Sequence, residues 1–181
     1  MSGSRILPVV MKNTYISTRG GDATDFAGAV MAGLARDGGL YIPSVVPDAR
    51  QYLPAWTRLS QSQGCYPELA LEVMRPFVDL DDRTLLVQLR ESCKSFRHPD
   101  VTPLRNIGDV WLLELFHGPT LAFKDVALQF LGNLFEHYIA KTGRRLNLLG
   151  ATSGDTGSAA IHGARGRSNI AIAVLYPHGR V

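Results

Sequence analysis

The chain has 181 residues, 45% of them hydrophobic and 19% charged, with a formal net charge of +3. That balance excludes a disordered chain and a membrane-embedded one, and the length is enough to bury a core. The basic residues are spread out; the densest spots, Gly143-Arg144-Arg145 and Arg165-Gly166-Arg167, are too short for a nucleic-acid footprint.

In chain order, the one apolar run at the N-terminus, Ile6 to Met11, is broken by Pro8 and is shorter than a signal-peptide core or a spanning helix. Met1 and Met11 both stay open as starts. Residues 12–17 read as a strand, ended by Thr18-Arg19-Gly20-Gly21. Thr24-Asp25 then caps a helix expected to reach Arg36, with Phe26, Val30, Met31 and Leu34 at helical spacing and Asp37-Gly38-Gly39 as its stop. Leu40-Tyr41-Ile42 is a short strand. Two short helices are expected near 53–62 and 67–75, and Asp81 caps a third from Asp82 to about Phe96. Residues 101–107 and 110–116 flank Gly108-Asp109 as a tight hairpin.

Thr120 to about Ala140 is strongly periodic. At about 100° per residue, Phe123, Val126, Ala127, Leu128, Phe130, Leu131, Leu134, Phe135, Tyr138 and Ile139 fill one arc. Asp125, Gln129, Gly132, Asn133 and Glu136 fill the other. Lys124 falls inside the apolar arc. Such a lysine either snorkels out at the helix end or sits in a cleft, where desolvation lowers its pKa and makes a nucleophile. Residues 146–150 then read as a strand, 158–162 as a helix and 169–176 as a second strand, a βαβ unit with parallel pairing. The last strand is a continuous apolar run, which implies burial on both faces.

Between that strand and helix lies Ser153-Gly154-Asp155-Thr156-Gly157. Open α/β sheets bind ligands at this place, where free N–H groups and the helix dipole favour an anion. Plain helix capping by Ser, Asp or Thr explains the same residues without a ligand. The loop is not a P-loop, because the Gly-Lys-Ser/Thr ending is missing. Cys65 and Cys93 are too few for a disulfide framework or a zinc site and read as reduced thiols of an intracellular protein. His117 is the histidine best placed for a site and reads as a loop-shaping hydrogen bonder; His98, His137, His162 and His178 read as surface or boundary residues. No metal cluster, triad or carboxylate pair stands out.

Phe116-His117-Gly118-Pro119-Thr120-Leu121-Ala122-Phe123-Lys124-Asp125 resembles the cofactor-lysine signature of the threonine synthases, and the resemblance continues through D-G-G-L-Y-I-P and A-T-S-G-D-T-G-S-A-A. It covers nearly all of the chain from about Met11. It implies a helical N-terminal module, residues 1–98, followed by residues 99–181 as the start of a parallel-sheet, fold-type-II α/β domain that binds pyridoxal 5'-phosphate. On this resemblance Lys124 bonds the cofactor aldehyde and is the catalytic residue. Ser153, Gly154, Asp155, Thr156 and Gly157 contact the substrate, O-phospho-L-homoserine, and Asp155 also lies at the cofactor. In sister families the residue at Asp155 is an asparagine that donates a hydrogen bond to the cofactor; an ionised aspartate cannot donate. Members are cytoplasmic enzymes more than twice this long, so the chain is expected to be an N-terminal portion, inactive alone, without the family's phosphate turn or its partner for the pyridine nitrogen. A dehydratase-like lyase and a non-catalytic anion-binding fragment are the alternatives. Neither nucleic acid nor membrane is expected as a partner, and the oligomeric state is open.

Overall fold

The computed structural model describes residues 14–62 and 64–179. The residues 12 and 13 of the first expected strand, and the apolar run from Ile6 to Met11, lie outside them. Strand β1 (Tyr15–Ser17) pairs antiparallel with β2 (Tyr41–Pro43), Ile16 opposite Ile42. Between them α1 (Phe26–Ala32) starts at Asp25, whose carboxylate accepts from the Gly28 N–H at 2.7 Å. The helix stops four residues short of the expected Arg36. Gly33 takes φ of 71°, the left-handed conformation that ends helices, so the turn falls there and not at Asp37-Gly38-Gly39.

A single 3-10 turn (Ala49–Gln51) leads into α2 (Leu53–Ser60) and α3 (Tyr66–Met74), each with proline in its first turn. Helix α4 (Asp82–Cys93) is capped by Asp81, which accepts from the Thr84 N–H at 2.9 Å. It ends three residues before Phe96. Leu85 and Leu89 form its buried face. They meet Leu71 of α3 and Phe130 and Leu134 of α5 (Asp125–Ala140) in one core, so a single apolar cluster joins the helical N-terminal part to the helix that follows the lysine. Asp79 fastens the same junction, accepting from the Tyr138 hydroxyl at 3.0 Å and from the Ala27 N–H at 3.2 Å. Burial first, and the Asp79 charge second, push the Tyr138 phenol up.

Strands β3 (Leu104–Ile107) and β4 (Val110–Leu113) form the expected hairpin, with Ile107 opposite Val110 and Gly108 at φ of 66°. Both strands are exposed along their length. Strand β5 (Leu146–Ala151), helix α6 (Asp155–Ala164) and strand β6 (Ile170–Leu175) are the expected βαβ unit, with β5 and β6 parallel and Leu146 opposite Ile170. Among the described residues one face of β5 and β6 stays uncovered: each strand alternates between half-buried and exposed, and Leu149 and Leu175 stand 75% and 61% exposed. Helices α5 and α6 cover the other face. Among the described residues no helix is long and apolar enough to cross a membrane.

Candidate active site

Helix α5 begins at Asp125, five residues after the expected Thr120, and the reason lies in Thr120 itself. The Asp125 carboxylate is fully buried. It accepts from the Thr120 N–H at 2.8 Å, from the Thr120 hydroxyl at 2.9 Å and from the Gln129 amide at 3.0 Å. A buried carboxylate needs such donors, since stranding its charge away from water costs far more than an ordinary lost hydrogen bond. The donors come from a loop, residues 118–124, folded back over the helix start. Gly118 makes the return possible, because a Cβ there would lie 2.7 Å from Asp125 Cγ and closer still to its Cβ and Oδ2. Leu121 sits at φ of 65°, a conformation that costs a non-glycine residue about 1–2 kcal/mol. The histidine-glycine-proline-threonine stretch is thus a strap that closes on Asp125.

The strap fixes Lys124, the residue just before Asp125. Lys124 is half-buried at the N-cap of α5, and its carbonyl accepts from the Leu128 N–H at 2.9 Å. Its Nζ stands 4.2 Å from the centre of the Phe123 ring, a cation–π contact. On the other side of the strap, His117 Nε2 meets Glu114 Oε2 at 2.6 Å, and the His117 carbonyl accepts from the Arg97 N–H at 2.8 Å. His117 shapes the loop through these two bonds.

Residues 152–154 connect β5 to α6, and Asp155, Thr156 and Gly157 form the first turn of the helix, which starts three residues before the expected Ser158. The N-cap of α6 is Gly154, and no side chain caps the helix. Asp155 Oδ1 accepts from the Thr156 N–H at 3.0 Å, so Asp155 acts as an acceptor inside the first turn. Ser153, Asp155 and Ser158 are exposed, while Gly154 and Thr156 are half-buried. Gly157 is buried where helix meets sheet: a Cβ there would lie 2.7 Å from Thr152 Cγ2 and 3.3 Å from Val174 Cγ1.

The two loops converge because α5 and α6 run side by side in the same direction. Gln129 pairs with Ala159 and His162, Gly132 packs on Gly163, and Asn133 and Glu136 bond Arg167. From Gln129 through Gly132 to Asn133 and Glu136 the partners run from Ala159 and His162 through Gly163 to Arg167, the sense that parallel helices give. Close approach is permitted by glycine on both sides, since a Cβ at Gly163 would lie 2.5 Å from the Leu128 carbonyl oxygen. Lys124 and residues 153–157 therefore sit at the same end of the pair, beyond the carboxyl end of β5. The N-terminus of α6, which has no side-chain cap, carries partial positive charge at that end and favours an anion. Among the described residues no group of three or more His, Cys, Asp or Glu could hold a metal ion.

Three residues that the periodicity put on the arc opposite the apolar one, Asp125, Gln129 and Gly132, belong to the interior. Gln129 is 6% exposed and Asp125 fully buried, because α5 has a second buried face against α6. His162 is likewise no plain boundary residue: its Nδ1 lies 2.9 Å from Gln129 Oε1. The signal available in the sequence was the pair of glycines, Gly132 and Gly163, which mark a helix face built for close packing. Conversely, Phe123, on the apolar arc, is 53% exposed.

Residues 14–93 match the family described as "Threonine synthase N terminus". The chain is 50% identical over 172 residues to the threonine synthase of Pseudomonas aeruginosa, covering 92% of this chain and 36% of that protein. It is 47% identical over 184 residues to the threonine synthase of Schizosaccharomyces pombe, covering 93% and 34%. Among solved structures it superposes on PLP-bound threonine synthase from Brucella melitensis with a TM-score of 0.82 at 44% identity, over 93% of this chain and 36% of that one. For threonine synthase from yeast the TM-score is 0.83 at 40% identity, over 96% and 37%. The chain spans about a third of the length of the relatives it matches.

Proposed function

We propose that this chain, which belongs to the threonine synthase family as its N-terminal portion, supplies the lysine-bearing half of a pyridoxal-phosphate site that turns O-phospho-L-homoserine and water into L-threonine and phosphate. Residues 1–98 are read as the N-terminal module and residues 99–181 as the first part of the cofactor domain. The observation that carries this reading is the parallel register of α5 and α6, which brings Lys124 and residues 153–157 to one end. The residues fit such a group. A half-buried primary amine stands on a strapped loop, and the uncapped N-terminus of α6 suits an anionic ligand.

In this reading Lys124 Nζ would hold the cofactor at its aldehyde and would be free once the substrate is bound. The freed amine, held by the strap, removes the proton at the substrate's α carbon and moves protons at the β carbon. When bound, pyridoxal phosphate supplies the electron sink that makes loss of that proton feasible. Phosphate leaves from the γ carbon and water adds at the β carbon. Ser153 and Thr156 offer hydroxyl donors to the substrate carboxylate, Gly154 and Gly157 let the backbone come close to it, and the α6 dipole favours its charge. Asp155, an acceptor, orients its neighbours.

The test is phosphate release from O-phospho-L-homoserine by the complete enzyme that carries this chain, with serine and threonine as rival substrates. Release of phosphate with formation of threonine supports the reading; ammonia from serine or threonine in its place points to a dehydratase. Asp155→Ala is expected to lower turnover or alter the cofactor's spectrum, and wild-type behaviour in both would take Asp155 out of the site.

A further inference from the structure

A hydrogen-bond chain runs from α6 to the lysine strap, and donors reach the buried Asp125 carboxylate from both sides. Asp125 is the end point: Thr120 donates to it twice and Gln129 Nε2 donates to Oδ1 at 3.0 Å. The second hydrogen of Gln129 Nε2 faces the Ala159 carbonyl at 3.4 Å. With both amide hydrogens committed, Gln129 Oε1 can only accept. His162 Nδ1, 2.9 Å from that oxygen, must therefore carry a hydrogen. The network assigns this tautomer, since turning the Gln129 amide over would set its oxygen against the Asp125 carboxylate oxygen and the Ala159 carbonyl oxygen.

We propose that Gln129 and His162 are positioning residues for Lys124, acting through Asp125. The proposal rests on the reading of Lys124 as the cofactor lysine. Lys124 is held by the strap, the strap by Asp125, and the orientation of Asp125 by Gln129. Gln129 is in turn anchored to α6 by His162 and the Ala159 carbonyl. The left-handed Leu121 inside the strap persists only where its surroundings over-determine it, and the Asp125 bonds supply that constraint. Helix α6 begins in the loop 153–157. The chain therefore sets the rotation of two helices, one carrying the amine and the other the substrate loop. Arg167 ties the same helices further along, through Asn133, Glu136 and the Gly163 carbonyl, without touching Asp125.

That contrast gives the test, made in the complete enzyme. Gln129→Met keeps the volume and cuts the chain, while Arg167→Met cuts only the distal tie. Gln129→Met is expected to raise amide hydrogen exchange across residues 118–124 by about tenfold or more. It is also expected to lower kcat for O-phospho-L-homoserine by about tenfold or more, with a smaller change in KM. Arg167→Met should lose a comparable amount of thermal stability with neither effect. His162→Phe should reproduce part of the Gln129→Met result, and His162→Gln, whose amide can donate in place of Nδ1, should restore it; these two guard against a misfolded Gln129 variant. If exchange at 118–124 and kcat move no more in Gln129→Met and His162→Phe than in Arg167→Met, the proposal is overturned. Failure of the underlying reading looks different: Lys124→Ala would keep the absorbance of bound cofactor, while the exchange result at 118–124 would stand.

Discussion

A methyl group at position 118 should break the strap. In Gly118→Ala the new Cβ would lie 2.7 Å from Asp125 Cγ, where ordinary contact is about 3.5 Å or more. Asp125 is fully buried in the first turn of a helix whose other faces are packed, so the loop must move and the carboxylate cannot. A retreat of about 1 Å stretches the two Thr120 bonds, now 2.8 and 2.9 Å, past useful length. Two bonds to a charged acceptor are worth about 1.5–3 kcal/mol each. Relaxing the left-handed Leu121 returns about 1–2 kcal/mol. The net loss is about 1–5 kcal/mol, read as the shift in urea midpoint with the slope held constant. Gly150→Ala is the control, since its Cβ would meet only Val174 Cγ2 at 4.0 Å, and it should change stability by less than about 1 kcal/mol. A Gly118→Ala protein as stable as the Gly150→Ala one would refute the strap.

Gly163→Ala tests the helix pair. Its methyl would press on the Leu128 carbonyl oxygen, so the helices must part, and a loss of about 1–3 kcal/mol is expected in the same urea measurement. The gain of up to about 1 kcal/mol usual for alanine over glycine in a helix would contradict the close packing. His137 gives a pH prediction. Burial first, and Lys141 second, hold its pKa below the ordinary 6.5, and its buried Nε2 has no hydrogen-bond partner. The unfolded chain therefore takes up this proton first as pH falls. The contribution of neutral His137 is complete above 6.5 and is lost as pH drops through that value toward the folded pKa. His137→Phe should flatten the stability difference between neutral and mildly acidic pH; an unchanged dependence would show that other groups set it.

Much of the fold can be read from local chemistry. Asp25 and Asp81 cap their helices, Pro54 and Pro67 start theirs, and Gly108 turns the hairpin, because each effect is decided within a few residues. The readings that changed all depend on distant partners. Thr120 lies outside α5 because its donors go to Asp125, and a helical wheel carries no record of that bond. Asp125 and Gln129 look solvent-facing by periodicity, since a polar ladder buried between two helices has the same spacing as a wet face. Both faces of β6 look apolar, yet only the face under α5 and α6 is covered within this chain. The site reads the same way: the lysine and the glycine-rich loop stand out as motifs, whereas their meeting at one end follows from the parallel register of α5 and α6, which no short stretch encodes.

The account turns on Lys124, and the most direct measurement is the visible absorbance of pyridoxal phosphate on the complete enzyme with and without that amine. The wild-type protein should be yellow and Lys124→Ala colourless at the same cofactor concentration, with both folded by circular dichroism. A folded Lys124→Ala protein that keeps the wild-type absorbance would mean that another residue holds the cofactor.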